Sequence, residues 1–380
     1  MGERTSAENS WLPPPGAGES ASDPSGGAAG EIPAARARVS PKAPLEEAGR
    51  LMLIGWEGQE TEEILSLLED FRPAGFVFFK RNYPGSPQKL REQIAEVNLR
   101  AAKLLKRKLL WALDQEGGTV TRLFLPETTL PSAGEMGALA AREGLGALEG
   151  LCYRVGLALR ELGFNFNLAP VLDVRAEDGS YIGSRSFSAD PQECARAGAA
   201  FARGFSRAGL LCCGKHFPGL GPSMLDPHLD LPVVSQNVQV HYDRDGLPFR
   251  ELIAQGIPAV MTTHVLHRAL DGVLPATFSE GILALLKKDY GFKGLVLTDD
   301  LEMGALSGIF NADQSAVEAV KAGHDLVLVC RRRENIQKAR DGLARAIAEF
   351  AISPRRSREA QLRLTRALKF GEGRRGAASP

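Results

Sequence analysis

Eight short apolar runs of strand length punctuate this chain: Leu51–Ile54, Gly75–Phe79, Leu109–Leu113, Phe164–Leu168, Leu210–Cys213, Ala259–Thr262, Gly294–Thr298 and Asp325–Cys330. Between most of them lie longer segments with apolar residues at helical spacing, among them Glu60–Phe71, Pro87–Leu105, Pro191–Ala208, Ser279–Tyr290 and Ala312–Ala322, and Arg333–Ala351 comes after the last run. Strands joined through helices run parallel, because each helix carries the chain back to the end of the sheet where the previous strand began. Eight such units predict an α/β fold, a single-domain (β/α)8 TIM-type barrel, in preference to an open doubly wound sheet, whose Gly-rich dinucleotide fingerprint is missing.

Residues 1–43 are rich in Pro, Gly, Ser and Ala and poor in large apolar side chains, so they predict a disordered N-terminal tail. Residues 371–380 read the same way, which leaves 44–370 for the barrel. With 44% hydrophobic and 24% charged residues the chain has the composition of a globular protein with a sizeable core. Lys and Arg number 46, as do Asp and Glu, so no net field draws the protein to nucleic acid or to an anionic membrane. Five cysteines, Cys152, Cys194, Cys212, Cys213 and Cys330, sit among apolar residues without CxxC spacing, which predicts buried thiols, neither a disulfide framework nor a zinc site. No apolar run approaches the length of a membrane span, and no charged segment followed by an apolar one opens the chain, so the expectation is a cytoplasmic protein.

A barrel of this kind places its chemistry at the carboxyl ends of its strands. Asp114 follows the third run, Asp173 the fourth, Lys215–His216 the fifth, His264 the sixth and Asp299–Asp300 the seventh. One polar residue at a strand end is ordinary, whereas five in succession point to a site. Asp114-Gln-Glu-Gly-Gly118 with Arg122 offers two carboxylates, a flexible turn and a guanidinium, a set suited to charged hydrogen bonds with hydroxyl groups; a solvated glycine turn has the same residues. Asp299 and Asp300 are nucleophile candidates on a rigid strand; the period of two lets only one face the pocket, and the other is expected to cap the next helix. Asp226-Pro-His228 lies in a long, turn-rich stretch from Gly214 to Asp243, where a carboxylate two residues before an imidazole makes a proton shuttle, or equally a turn residue beside a solvated histidine. Gly209-Leu-Leu-Cys-Cys-Gly-Lys215 approaches a phosphate loop, but His216 stands where Ser or Thr would hold magnesium and the intervening residues are strand-like. His264 and His267 have no further ligands at metal spacing, and His241 and His324 suit structural or surface roles, so neither metal nor cofactor is expected.

Taken together and in order, these segments resemble family 3 glycoside hydrolases, in the single-domain β-N-acetylglucosaminidase (β-N-acetylhexosaminidase) branch, from about Leu45 to Leu368. Besides the motifs above, the likeness rests on Asn167-Leu-Ala-Pro-Val-Leu-Asp173, Ile182-Gly-Ser-Arg-Ser-Phe187 before Asp190-Pro191, Lys215-His-Phe-Pro-Gly219, Met261-Thr-Thr-His264 and Thr298-Asp-Asp-Leu-Glu-Met303. The resemblance implies Asp299 as nucleophile, His228 as general acid/base with Asp226 orienting it, and Asp114, Arg122, Arg185, Lys215 and His216 as the residues gripping a terminal N-acetylglucosamine. It implies a retaining, exo-acting monomeric enzyme of peptidoglycan recycling, taking a small carbohydrate or muropeptide substrate and needing no cofactor. A β-glucosidase or xylosidase, a phosphorolytic enzyme and a catalytically silent sugar-binding barrel are the competing readings. Leu220 and Pro227 depart from residues common in relatives, a histidine after Phe-Pro-Gly and a serine inside the dyad, and the proline, by fixing its own φ and biasing Asp226 toward extended conformations, predicts a stiffer loop.

Overall fold

The computed structural model describes residues 42–176, 181–221, 231–306 and 309–370. Eight parallel strands close a barrel in sequence order: β1 Met52–Ile54, β2 Gly75–Phe78, β3 Leu110–Leu113, β4 Phe166–Asn167, β5 Leu211–Phe217, β6 Ala259–Thr262, β7 Leu295–Asp300 and β8 Leu326–Val329. Closure is made by β1, which pairs with β2 through Leu53 and Gly75 and with β8 through Leu53 and Leu328.

The period of two divides each strand between two cores. Leu53, Val77, Leu110, Ala112, Leu211, Cys213, Ala259, Met261, Leu295, Leu297, Leu326 and Leu328 fill the barrel. Their neighbours Met52, Ile54, Phe76, Phe78, Trp111, Cys212, Val260, Val296, Val327 and Val329 face outward and pack against the helices. All five cysteines are buried and free. The helices begin where the sequence supplies caps: Ser86 before Pro87 accepts the Lys89 N–H, and Asp190 before Pro191 accepts those of Gln192 and Glu193. The helix Pro354–Lys369 sends Leu364 and Ala367 into the inner core. Arg356 and Arg363 of that helix pair with buried Asp325, at the start of β8.

All eight expected strands form, with two informative differences at their ends. The fifth run continues beyond Cys213 to Phe217, and the seventh beyond Thr298 to Asp300. Polar side chains do not stop β5, because Lys215 and His216 find carboxylate partners, Asp114 after β3 and Asp173 after β4. The segment Ser279–Tyr290 is an α-helix only over Glu280–Ala284 and widens to a π-turn over Leu285–Asp289. A helix starts at Lys42, two residues inside the segment read as tail; the remainder of that tail and residues 371–380 lie outside the described residues. The phosphate-loop pattern is a strand, Leu211–Phe217, with no helix opening after Lys215. Among the described residues, no helix is long and apolar enough to cross a membrane.

Candidate active site

The carboxyl end of β3 builds the first part of the site. Asp114 leads into a hairpin, Gln115–Gly117 against Val120–Thr121, whose turn uses positive φ at Gly117 (102°) and Gly118 (55°). A side chain at Gly117 would run into the Pro131 carbonyl, so glycine is required there twice over. Buried Gln115 organises the return limb: its amide donates to the Leu123 and Thr128 carbonyls and its oxygen accepts the Arg122 and Leu123 N–H groups. That limb brings Arg122 back over Asp114, 3.1 Å away.

Five side chains from three strand ends then join in one chain of charges. Lys215 Nζ donates to Asp114 Oδ1 at 2.7 Å and lies 2.6 Å from Glu116 Oε1. Arg185 grips Glu116 through two bonds of 2.8 and 2.9 Å. Burial works to protonate both carboxylates, but the cations outweigh it: Lys215 and Arg122 hold Asp114 far below the usual carboxylate range, and Lys215 and Arg185 bring Glu116 down to about 2. Burial likewise opposes the ammonium of Lys215, and the two carboxylates reverse it and raise its pKa. Three cations on two carboxylates leave one formal positive charge.

His216 lies beside this chain. Its Nδ1 is 2.7 Å from Asp173 Oδ2, while Asp173 Oδ1 accepts the Leu220 N–H at 2.8 Å. An ionised carboxylate can only accept, so the imidazole carries its proton on Nδ1 and keeps Nε2 as an acceptor when neutral. Ser186 donates to the Asp173 carbonyl at 2.7 Å and accepts the Arg175 N–H, which ties the residues after β4 to the neighbour of Arg185.

On β7 the two adjacent aspartates take different partners, across a shift of register between Leu297 and Asp300. Asp300 turns from the smaller cavity toward the larger one: its Oδ1 accepts the N–H groups of Glu302 and of Cys330, just past β8. It caps this turn and pins the neighbouring strand; it does not cap a helix. Burial, with Glu302 and Asp299 nearby, pushes its carboxyl up to about 7. Asp299 instead opens into a cavity of about 250 Å³, lined also by Asp114, Glu116, Arg122, Arg185, Lys215 and His216, with Tyr181, Leu220 and Met303. A second cavity of about 670 Å³ shares Asp114, Arg122, Asp299 and Met303 and extends toward Arg81, Arg331 and Arg332.

Six of the eight residues singled out in the sequence are thus gathered at one cavity. The other two, Asp226 and His228, lie outside the described residues, as does Pro227. Glu116 and Asp173 belong to the network although neither is among those eight; Glu116 stands two residues after Asp114, the spacing that keeps side chains on one face of an extended chain. His264 is buried behind the site, bonded to Thr277 and to the Asp300 carbonyl. His241 and His324 are both buried, and His324 bonds Thr262 and the Ala319 carbonyl. Among the described residues, no group of three or more His, Cys, Asp or Glu side chains is placed to hold a metal ion.

Known proteins share this architecture. A beta-hexosaminidase of Neisseria gonorrhoeae is 35% identical over 287 residues, 74% of this chain and 78% of the relative. One from Methylococcus capsulatus is 34% identical over 280 residues, covering 74% and 81%. The solved glycoside hydrolase family 3 beta-N-acetylglucosaminidase from Paenibacillus sp. superposes with a TM-score of 0.82 at 36% identity; the match covers 88% of this chain and 64% of that longer one. NagZ from Neisseria gonorrhoeae, solved in complex with N-trifluoroacetyl-D-glucosamine, gives a TM-score of 0.69 at 29% identity over 86% of this chain and 98% of that one. The glycosyl hydrolase family 3 N-terminal domain matches residues 45–367, the whole of the barrel, and the chain belongs to that family of glycoside hydrolases.

Proposed function

We propose that the protein is an exo-acting, retaining β-N-acetylglucosaminidase that removes terminal non-reducing N-acetylglucosamine from peptidoglycan-derived fragments. The observation that carries the reading is the exposure of the Asp299 carboxylate to the cavity formed around the Arg122–Asp114–Lys215–Glu116–Arg185 chain. Asp114 and Glu116, kept ionised, accept from sugar hydroxyls, and the third proton of Lys215 Nζ remains for a hydroxyl oxygen once two are engaged by carboxylates. At about 250 Å³ the cavity is at the small end of ligand pockets, a size suited to one terminal sugar unit.

In the proposed reaction an Asp299 oxygen bonds the anomeric carbon as the glycosidic bond breaks, and His228, oriented by Asp226, gives its proton to the departing oxygen. Water that surrenders a proton to His228 then attacks the same carbon and releases Asp299, with net retention. A histidine in place of the usual second carboxylate titrates near neutral pH, which suits both halves of the cycle. The acetamido sugar is proposed from the beta-N-acetylglucosaminidase and NagZ likenesses, and peptidoglycan fragments, together with action in the cytoplasm as a monomer, from the resemblance of the motifs.

The test is release of a phenol from its β-N-acetylglucosaminide and its β-glucoside by the intact chain, beside Asp299→Asn and His228→Ala. Preference for the acetamido sugar, loss of turnover in Asp299→Asn with sugar binding kept, and free N-acetylglucosamine from a muropeptide disaccharide are expected. Turnover that survives Asp299→Asn, or a product that is the sugar 1-phosphate, would overturn the mechanism.

A further inference from the structure

The segment 222–230 carries Asp226 and His228, and the residues that flank it on both sides meet at one short strand. Leu266–His267 pairs in parallel with Val233–Val234, the Leu266 N–H donating to the Pro232 carbonyl and the Arg268 N–H to the Val234 carbonyl, each at 3.0 Å. That secures the outgoing side. On the incoming side, the buried His267 ring places Nε2 2.7 Å from the Gly219 carbonyl. Carbonyl oxygen only accepts, so Nε2 bears the proton. Burial pushes this imidazole down to about 4, which keeps the ring neutral with that N–H in place at neutral pH. Leu220, Val234 and Val265, with Val171 and Ile182, add a separate apolar cluster that joins the same two sides.

We propose that His267 is a positioning residue for the acid/base: its side chain holds Gly219, before the 222–230 segment, while the backbone of its neighbours Leu266 and Arg268 holds Pro232 and Val234 after it. Tying Gly219 and Val234 to one tripeptide fixes the distance between the two flanks, and a segment whose ends are fixed has less conformational entropy to lose when it is ordered. The inference rests on the reading of His228 as the proton donor. His267 touches neither sugar nor reacting atoms, and its effect passes through Gly219 and Val234.

The experiment compares the intact chain with His267→Leu and His267→Gln on two aryl β-N-acetylglucosaminides, one with a strongly acidic and one with a weakly acidic phenol. A strongly acidic phenol departs without help from an acid, so displacing the acid harms only the weakly acidic one. The leucine variant is expected to lose about ten- to a hundredfold in kcat/KM on the weakly acidic phenol and less than about threefold on the other. Glutamine, whose amide N–H reaches the same carbonyl, is expected to recover most of the loss. Equal losses on both phenols, no loss on either, or a glutamine variant as impaired as leucine would overturn the proposal. Hydrogen exchange on the unmodified protein tests it without any variant: protected Leu266 and Arg268 amides are expected, and exchange at the solvent rate would refute the clamp. If His228→Ala shows no deficit that grows with the phenol's pKa, the acid/base reading itself fails; uniform losses at His267 beside a normal His228→Ala pattern sink the positioning role alone.

Discussion

Glu116→Gln isolates the contribution of the charge chain, because it removes one negative charge from a buried site and keeps the side chain's shape. In the folded protein Lys215 and Arg185 overcome burial and lower the Glu116 pKa from 4.5 to about 2. A difference of that size between folded and unfolded states corresponds to about 3 kcal/mol of stability at pH 7. The sign comes from the depressed folded value: the contribution is complete above the unfolded pKa and drains away as pH falls toward 2. With glutamine standing for the protonated acid, linkage puts the difference between wild type and variant at about 3 kcal/mol at pH 7 and about 2 kcal/mol at pH 3.5. Urea unfolding of both proteins at the two pH values measures it, with the shift read at the midpoint and an unchanged m-value confirming that the native state is the same. A variant as stable as wild type at pH 7, or a difference that does not shrink on acidification, would refute the claim that Glu116 is held ionised by its cations. Activity supplies a second reading, because Lys215 and Arg185 lose the anion that fixes them, and kcat/KM should fall even where folding is intact.

Three further outcomes are expected. Lys215→Met removes a buried donor from two carboxylates that each keep an arginine, so the fold should survive with a loss of about 1–3 kcal/mol, while kcat/KM falls about ten- to a hundredfold with the missing charged bond to substrate; unchanged kinetics would remove Lys215 from the binding set. Asp300 has a folded pKa raised to about 7, so the stability it provides is complete below its unfolded pKa of 3.8 and is lost as pH rises through 7. Asp300→Asn still accepts from Glu302 and Cys330 and should match or exceed wild-type stability at pH 8, an advantage that shrinks as pH falls through 7 and disappears only below the unfolded pKa of 3.8; a variant less stable than wild type at pH 8 would count against this. Arg363→Ala leaves buried Asp325 with Arg356 alone and should lower stability by about 1–3 kcal/mol without altering kcat/KM, as read by thermal unfolding and aryl glycoside turnover.

The barrel was legible in the sequence because its signals are local. Apolar runs of strand length, helical spacing between them, and Ser or Asp placed before proline at helix starts each act over a few residues, and all eight strands and most helix limits result from them. The placement of charge at five consecutive strand ends marked the rim of the barrel, and motifs in fixed order were enough to suggest the family. The features that the linear pattern withheld depend on contacts between residues far apart in the chain. Lys215 extends β5 past an apparent stop only because Asp114, 101 residues earlier, neutralises it. Which of Asp299 and Asp300 faces the smaller cavity, open in spacing alone, depends on the fold: the Cys330 N–H, just past β8, holds the Asp300 carboxylate, which lines only the larger cavity, while Asp299 lines both. His267 reads as an unremarkable polar residue until the fold sets it under Gly219, 48 positions away. Sequence alone determined the elements and their order, since hydrogen bonding and apolar period are local properties of the chain. Tertiary structure decided which charges are buried, which are paired and which face the cavity, because burial and Coulomb energy depend on distances that exist only once the barrel has closed.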